Sequence, residues 1–113
     1  MIDALSVRDK RIANYVGLAQ RAGKIAAGDV PALSAVKNGK AKMLLIADDA
    51  ANQVKEVLSG ACRDKKIKLY YWQHKAALGY MVGKSARGAL AVLDAGFAVA
   101  IEKLLQEGNL LFY

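Results

Sequence analysis

The chain reads as an α/β protein: a single-domain three-layer α/β/α sandwich with a four-stranded mixed sheet flanked by about five helices. Three observations lead there. Segments with apolar residues at three-and-four spacing alternate with short apolar runs, the pattern of helices interleaved with strands. Two of those runs, residues 43–47 and 89–93, are apolar throughout rather than alternately, as expected of strands covered on both faces. The length of 113 residues suffices for one ordinary core without metals or disulfides and leaves no room for a second.

Each element has its own signal. Ile12, Tyr15, Val16 and Ala19 recur at helical spacing, which predicts a first helix over residues 7–22 with Gly23 at its end. Residues 24–27 read as a short strand. Pro31 suits the first turn of a second helix and biases Val30 toward an extended backbone, Leu33 and Val36 face the core, and Gly39 stops the helix. After the strand at 43–47, Asp49 is expected to cap a third helix whose stripe is Val54, Val57, Leu58, Ala61 and Cys62. Residues 67–72 read as a third strand, 75–82 as a short helix with Leu78, Met81 and Val82 inward, and 89–93 as a fourth strand. Asp94 caps the final helix, Phe97, Ile101, Leu104 and Leu105 form its buried face, and Gly108 ends it before the apolar tail Leu110-Leu111-Phe112-Tyr113. No linker, low-complexity segment or internal repeat interrupts the series.

Composition narrows the partner and the compartment. A net charge of +7 and a pI near 9.6 favour a polyanion, because cations that neutralise phosphates release condensed counterions. The excess is uneven: residues 1–42 carry Arg8, Lys10, Arg11, Arg21, Lys24, Lys37, Lys40 and Lys42 against Asp3, Asp9 and Asp29. A single cysteine, Cys62, allows no internal disulfide and has no neighbouring ligands for zinc, which points to a reducing compartment and hence the cytoplasm. The N-terminus shows no basic segment followed by a long apolar one, and every apolar run stops short of the roughly 20 residues a bilayer needs, so no membrane partner is expected.

Motifs for catalysis fail on spacing. Gly83-Lys84-Ser85 matches the end of a phosphate-binding P-loop, but the required earlier glycine is Leu78, and the segment follows a helix instead of a buried strand. Cys62 falls on a helix stripe that buries it, with no activating base beside it. His74 is the only histidine and is placed at a helix entry. Asp48-Asp49 suits helix capping better than a magnesium site. Tyr70 and Trp72 must point to one side of their strand and Tyr71 to the other, so most of this aromatic area belongs to the core rather than to stacked bases. The run Arg63 to Lys68 reads as a solvated helix end. No catalytic residue, metal ligand or cofactor is assigned, and no enzyme activity is expected.

One ordered set of landmarks carries a resemblance: Gly23-Lys24-Ile25, Gly28, Gly39-Lys40-Ala41-Lys42, Ala47-Asp48-Asp49, Leu78-Gly79, Gly83, the strand at 89–93, and Asp94 with Phe97 after it. Over nearly its whole length the chain resembles the kink-turn RNA-binding ribosomal protein family, which includes archaeal ribosomal and box C/D types, and within it the bacterial YlxQ-type branch. The resemblance implies the same α/β/α architecture. It also implies that the start of the second helix reads sheared guanine–adenine pairs while the loop at residues 83–88 cradles an extruded base.

The family's readers after the glycine are an asparagine, a glutamate and, three positions on, a lysine. Here those positions hold Val30, Pro31 and Ser34. Valine and proline supply no side-chain hydrogen bonds, and proline also lacks a backbone donor. The family's two basic positions before the glycine are Ala26 and Ala27, and its apolar residue after Gly83 is Lys84. The exchange trades shape-reading contacts for phosphate contacts.

The expected RNA-binding residues are Gly28, Asp29, Val30, Ser34, Lys37, Lys40, Lys84, Ser85 and Arg87. The partner is ribosomal or other structured RNA, with the ribosome or the translation and transcription machinery as wider context, bound by a monomer. The competing reading is a protein-interaction adaptor on the same fold that has given up specific kink-turn recognition and uses the apolar C-terminal tail as its contact.

Overall fold

The computed structural model describes residues 5–110, with side chains through Glu107. Five helices and four strands follow one another: α1 (Val7–Arg21), β1 (Ile25–Ala27), α2 (Asp29–Lys37), β2 (Met43–Ile46), α3 (Asn52–Lys65), β3 (Leu69–Tyr71), α4 (Lys75–Met81), β4 (Ala89–Val92) and α5 (Ala95–Leu110). The sheet is mixed, in the order β1-β4-β2-β3. β4 is antiparallel to both its neighbours, β1 and β2, whereas β2 and β3 run parallel.

The two central strands are the two continuously apolar runs, and every residue of both is buried. They must be covered on both faces, and they are. α2 packs on α3 and β4, while α1 packs on α5 and α4, and α5 returns to β4. Ile12 and Val16 of α1, Val36 of α2, Leu58 of α3, Leu78 of α4 and Ile101 of α5 close the core from the helical layers. Each such aliphatic side chain contributes roughly 1.5–3 kcal/mol by leaving water.

Local chemistry sets the helix ends. The Ser6 hydroxyl accepts from the Asp9 amide at 3.0 Å and starts α1. Asp94 Oδ2 accepts from the Phe97 amide at 3.0 Å and starts α5 as expected. α1, α2 and α4 close with the same paired backbone bonds around Gly23, Gly39 and Gly83, the amide two residues past the cap reaching back to the third-last carbonyl. α3 closes in the same way on Lys66, a lysine held at φ 58°.

Four expectations are corrected. Val30 is helical, because α2 starts at Asp29; Pro31 is tolerated in that first turn, where its missing amide has no intrahelical acceptor to lose. Asp49 caps α4, not α3: its Oδ1 accepts from the Lys75 amide at 2.8 Å, bringing together residues 26 apart. Val57 stands out of the α3 stripe at 48% exposure, whereas Leu58 and Cys62 are buried. α5 runs through Gly108 to Leu110 because the helix is already established by packing on α1, and one glycine costs only about 1 kcal/mol there. The remainder of the apolar tail lies outside the described residues.

The aromatic strand residues divide as the pleat requires. Trp72 is buried, and Tyr70 is half-buried with its hydroxyl donating to Glu102 Oε2 at 3.0 Å. Tyr71 is exposed on the other face, with Lys55 Nζ 5.6 Å from its ring centre.

Candidate nucleic-acid interface

The start of α2 and the segment joining α4 to β4 form one surface. β1 and β4 are antiparallel, so the end of β1 lies beside the start of β4, and the Gly28 amide donates to the Ala89 carbonyl at 2.8 Å. Gly28 sits at φ 120° and ψ 163°, a backbone region open to glycine alone, and so turns the chain directly from strand into helix. A Cβ placed there would lie 3.6 Å from Arg87 Cδ and 3.3 Å from Pro31 Cδ. The Asp29 carboxylate fills the space beside Gly88, where a Cβ would come within 2.5 Å of its Oδ1.

The loop is held from behind. A methyl group on Gly79 of α4 would overlap the Ser85 carbonyl, so the loop backbone lies directly on that helix. The Lys84 amide donates to the Gly79 carbonyl at 2.8 Å and the Arg87 amide to the Lys75 carbonyl at 3.0 Å. The Arg87 guanidinium folds back, its Nη1 donating to Ser85 Oγ at 2.7 Å and to the Ser85 and Ala86 carbonyls at 3.1 and 3.2 Å. Lys84 and Ser85 are exposed and Arg87 half-exposed. Gly83-Lys84-Ser85 thus closes a helix and leads into a strand, the reverse of the strand-to-helix order of a P-loop.

Chemically this end of the sheet offers three kinds of group. The amides of Asp29 and Val30 stand in the first turn of α2 with no intrahelical acceptor and with the positive end of the helix dipole behind them. Lys84 and Arg87 supply cations. Asp29, an acceptor only, suits an exocyclic amine or a ribose hydroxyl and repels phosphate. Val30, 79% exposed, and Val57 face solvent across a groove between α2 and α3 that Leu33 and Val54 line.

The expected residues do not all meet. Gly28, Asp29, Val30, Ser85 and Arg87 gather at this end, with Lys84 beside them. Ser34 lies further along α2, its hydroxyl accepting from Asn38 Nδ2 at 3.3 Å. Lys37 ends α2, about 12 Å from its start at 1.5 Å per residue, and Lys40 follows at the opposite end of the sheet. Lys75 reads from the sequence only as a helix start; it opens α4 at the rim, where its carbonyl accepts from the Arg87 amide and its amide donates to Asp49. Lys55 also reaches this end, with its ammonium donating to the Asp48 carbonyl at 2.6 Å.

Comparison with known proteins covers most of the chain. The family model described as "Ribosomal protein L7Ae/L30e/S12e/Gadd45 family" matches residues 10–102. The RNA-binding protein YlxQ of Bacillus subtilis is 33% identical over 90 residues, covering 80% of this chain and 90% of that one. Large ribosomal subunit protein eL8 of Thermoplasma volcanium is 32% identical over 84 residues, or 74% of this chain and 69% of that one. Among solved structures, a Bacillus halodurans protein described as of unknown function superposes with a TM-score of 0.81 at 29% identity, covering 85% of this chain and 97% of that one. The Giardia lamblia 15.5 kD RNA binding protein superposes with a TM-score of 0.73 at 24% identity, covering 92% and 89%, and speaks to the fold.

Proposed function

The chain belongs to the ribosomal protein L7Ae/L30e/S12e/Gadd45 family, and on that premise we propose that it is a non-catalytic RNA-binding protein that grips structured RNA at the end of the sheet bearing Gly28 and Arg87. The observation that carries this reading is the apposition of the α2 start with the loop at 83–88, through Gly28 against Arg87 and Asp29 against Gly88. It is supported by the chain's relatives, an RNA-binding protein and ribosomal subunit proteins.

The mode of binding follows from the residues present. Val30 and Pro31 offer no side-chain donor or acceptor for a sheared base pair, so recognition rests on the amides of Asp29 and Val30, on the Asp29 carboxylate, and on phosphate contacts from Lys84 and Arg87. Such contacts fix position and shape more than sequence. Residues 1–113 act as one RNA-binding unit and as a monomer. The buried, unpaired Cys62 suits a reducing cytoplasm, beside ribosomal or other structured RNA.

The test is binding to a kink-turn RNA, to the same RNA with its guanine–adenine pairs disrupted, and to an unstructured strand, each across a salt series. The expected order is both folded RNAs above the unstructured strand, with only a few-fold loss on disrupting the pairs. Lys84→Ala with Arg87→Ala should weaken binding and flatten the slope of log K against log salt by about 1.5, two phosphates at roughly 0.7–0.9 each. Equal affinity of wild type and double variant at every salt concentration would remove the site from this surface.

A second reading, the protein-interaction adaptor, is favoured by one observation: Val30 and Val57 expose apolar surface on facing walls of the α2–α3 groove. If no RNA binds at moderate salt while Val30→Lys abolishes capture of a partner protein, the adaptor takes first place.

A further inference from the structure

The opposite end of the sheet is the more basic one. β1, β2 and β3 all begin there, because β4 runs antiparallel to β1 and β2 while β3 is parallel to β2. The residues at those starts are Lys24, Lys42 and Lys68. The Leu93 amide donates to the Lys24 carbonyl at 2.8 Å, the Lys42 amide to the Val92 carbonyl at 2.7 Å, and the Leu44 amide to the Lys68 carbonyl at 3.0 Å. With neighbouring strands about 4.8 Å apart, Lys24 and Lys42 flank the end of β4 about 10 Å apart, and Lys68 lies one strand further. Lys37 and Lys40 enter the same end from α2. Lys42, Lys66 and Lys68 line one open groove with Glu102.

The opposing charges are few. Glu102 pairs with Lys68 at 3.1 Å, Asp94 is occupied as the cap of α5, and Asp64 lies on the last turn of α3 between Arg63 and Lys65. Among the described residues, Lys24, Lys37, Lys40, Lys42 and Lys66 make no ion pair. Lys66 adds a separate observation. It sits at φ 58°, the left-handed conformation that costs a side chain roughly 1–2 kcal/mol and that Gly23, Gly39 and Gly83 occupy at the other helix ends. A charge is kept where glycine would relieve the backbone, the kind of local conflict that marks functional positions.

We propose that Lys24, Lys37, Lys40, Lys42, Lys66 and Lys68 form a second RNA-binding face, which takes the phosphate backbone of an RNA helix without reading its sequence. The proposal rests on the reading of the chain as an RNA-binding protein and adds to it. Compact ammonium groups without interleaved exposed aromatics hold phosphates as point charges and offer nothing for base edges. The two faces lie at opposite ends of a molecule 29–33 Å across, so one protein bridges two RNA segments.

The experiment uses the full chain, a short kink-turn hairpin, and a plain RNA duplex of about 20 base pairs, each labelled with one dye of an energy-transfer pair. The variants are Lys24→Glu/Lys42→Glu/Lys66→Glu and, as its counterpart, Lys84→Glu/Arg87→Glu, with circular dichroism confirming that both fold. Wild type should bring hairpin and duplex together and give energy transfer. The triple variant should keep hairpin affinity within about twofold, lose duplex affinity at least tenfold, and abolish transfer; the double variant should lose hairpin affinity at least tenfold and keep the duplex. Unchanged duplex affinity and transfer in the triple variant overturn the proposal, as does an equal loss of both RNAs, which means one site. If wild type binds the duplex but not the hairpin and the triple variant loses the duplex, the second face stands and the kink-turn placement fails. If the triple variant loses only binding to anionic phosphatidylserine vesicles, the face serves a membrane and the proposal is overturned.

Discussion

Two glycines of the candidate interface show why the identity of a neighbouring atom matters more than its distance. At Gly79 an added methyl meets the Ser85 carbonyl, which is backbone held by the Lys84 and Arg87 amide bonds on either side. At Gly88 it meets the Asp29 carboxylate, the free end of a side chain. Gly79→Ala should therefore cost about 2–3 kcal/mol or displace the loop, whereas Gly88→Ala should cost under about 1 kcal/mol as Asp29 rotates away. Urea unfolding of both variants checks this, and similar losses would mean that the loop yields as readily as a side chain. Lys66→Gly should stabilise the fold by about 1 kcal/mol by relieving a left-handed residue. If its midpoint does not rise, the lysine is not strained and one support for the second basic face disappears.

At the scale of elements, the first turn of α1 is tied to the β3–α4 junction by a single carboxylate. Asp9 Oδ1 accepts from the Trp72 indole at 3.0 Å and from Arg8, and Oδ2 accepts from Gln73 Nε2 at 3.0 Å. The side chain is 15% exposed, so removing it strands the buried indole donor. Asp9→Ala should cost about 2–3 kcal/mol, measured by urea unfolding, with Asp9→Asn recovering part; a loss below 0.5 kcal/mol would show that water replaces the carboxylate. Element boundaries show the limits of local reasoning. Asp94 and Gly39 act where composition and spacing place them, because capping involves only near neighbours. Asp49 and Gly108 do not, since one finds its acceptor role at a helix 26 residues on and the other is overridden by packing.

The whole molecule carries two charge faces joined by one apolar core, and its alkaline stability depends on two groups in or against that core. Burial pushes the Cys62 thiol above its usual 9.0. Burial first, then the hydrogen bond to Glu102, pushes the Tyr70 hydroxyl above 10.0. In both, the native state holds its proton more tightly than the unfolded chain does. Their contribution is therefore fully present below the unfolded-state values and is lost as pH rises through the folded ones. Stability should be flat on this account to about pH 8.5 and fall from pH 9 upward, more shallowly in Cys62→Ala/Tyr70→Phe. An equally steep fall in that double variant would place the alkaline loss elsewhere, in the lysines.

What the amino-acid order alone determined is the series of elements, the two buried central strands, the helix ends at Gly23 and Gly39, and the basic character that points to phosphate. These follow from side-chain periodicity and backbone preference, which act over a few residues. The strand order β1-β4-β2-β3 was decided only by tertiary pairing, and with it the geometry of both faces. It set Arg87 against Gly28, carried Lys37 and Lys40 away from them, and lined up Lys24, Lys42 and Lys68 from distant parts of the chain. No local pattern records which edges of distant strands meet, because that choice depends on how the whole set of apolar faces is buried at once.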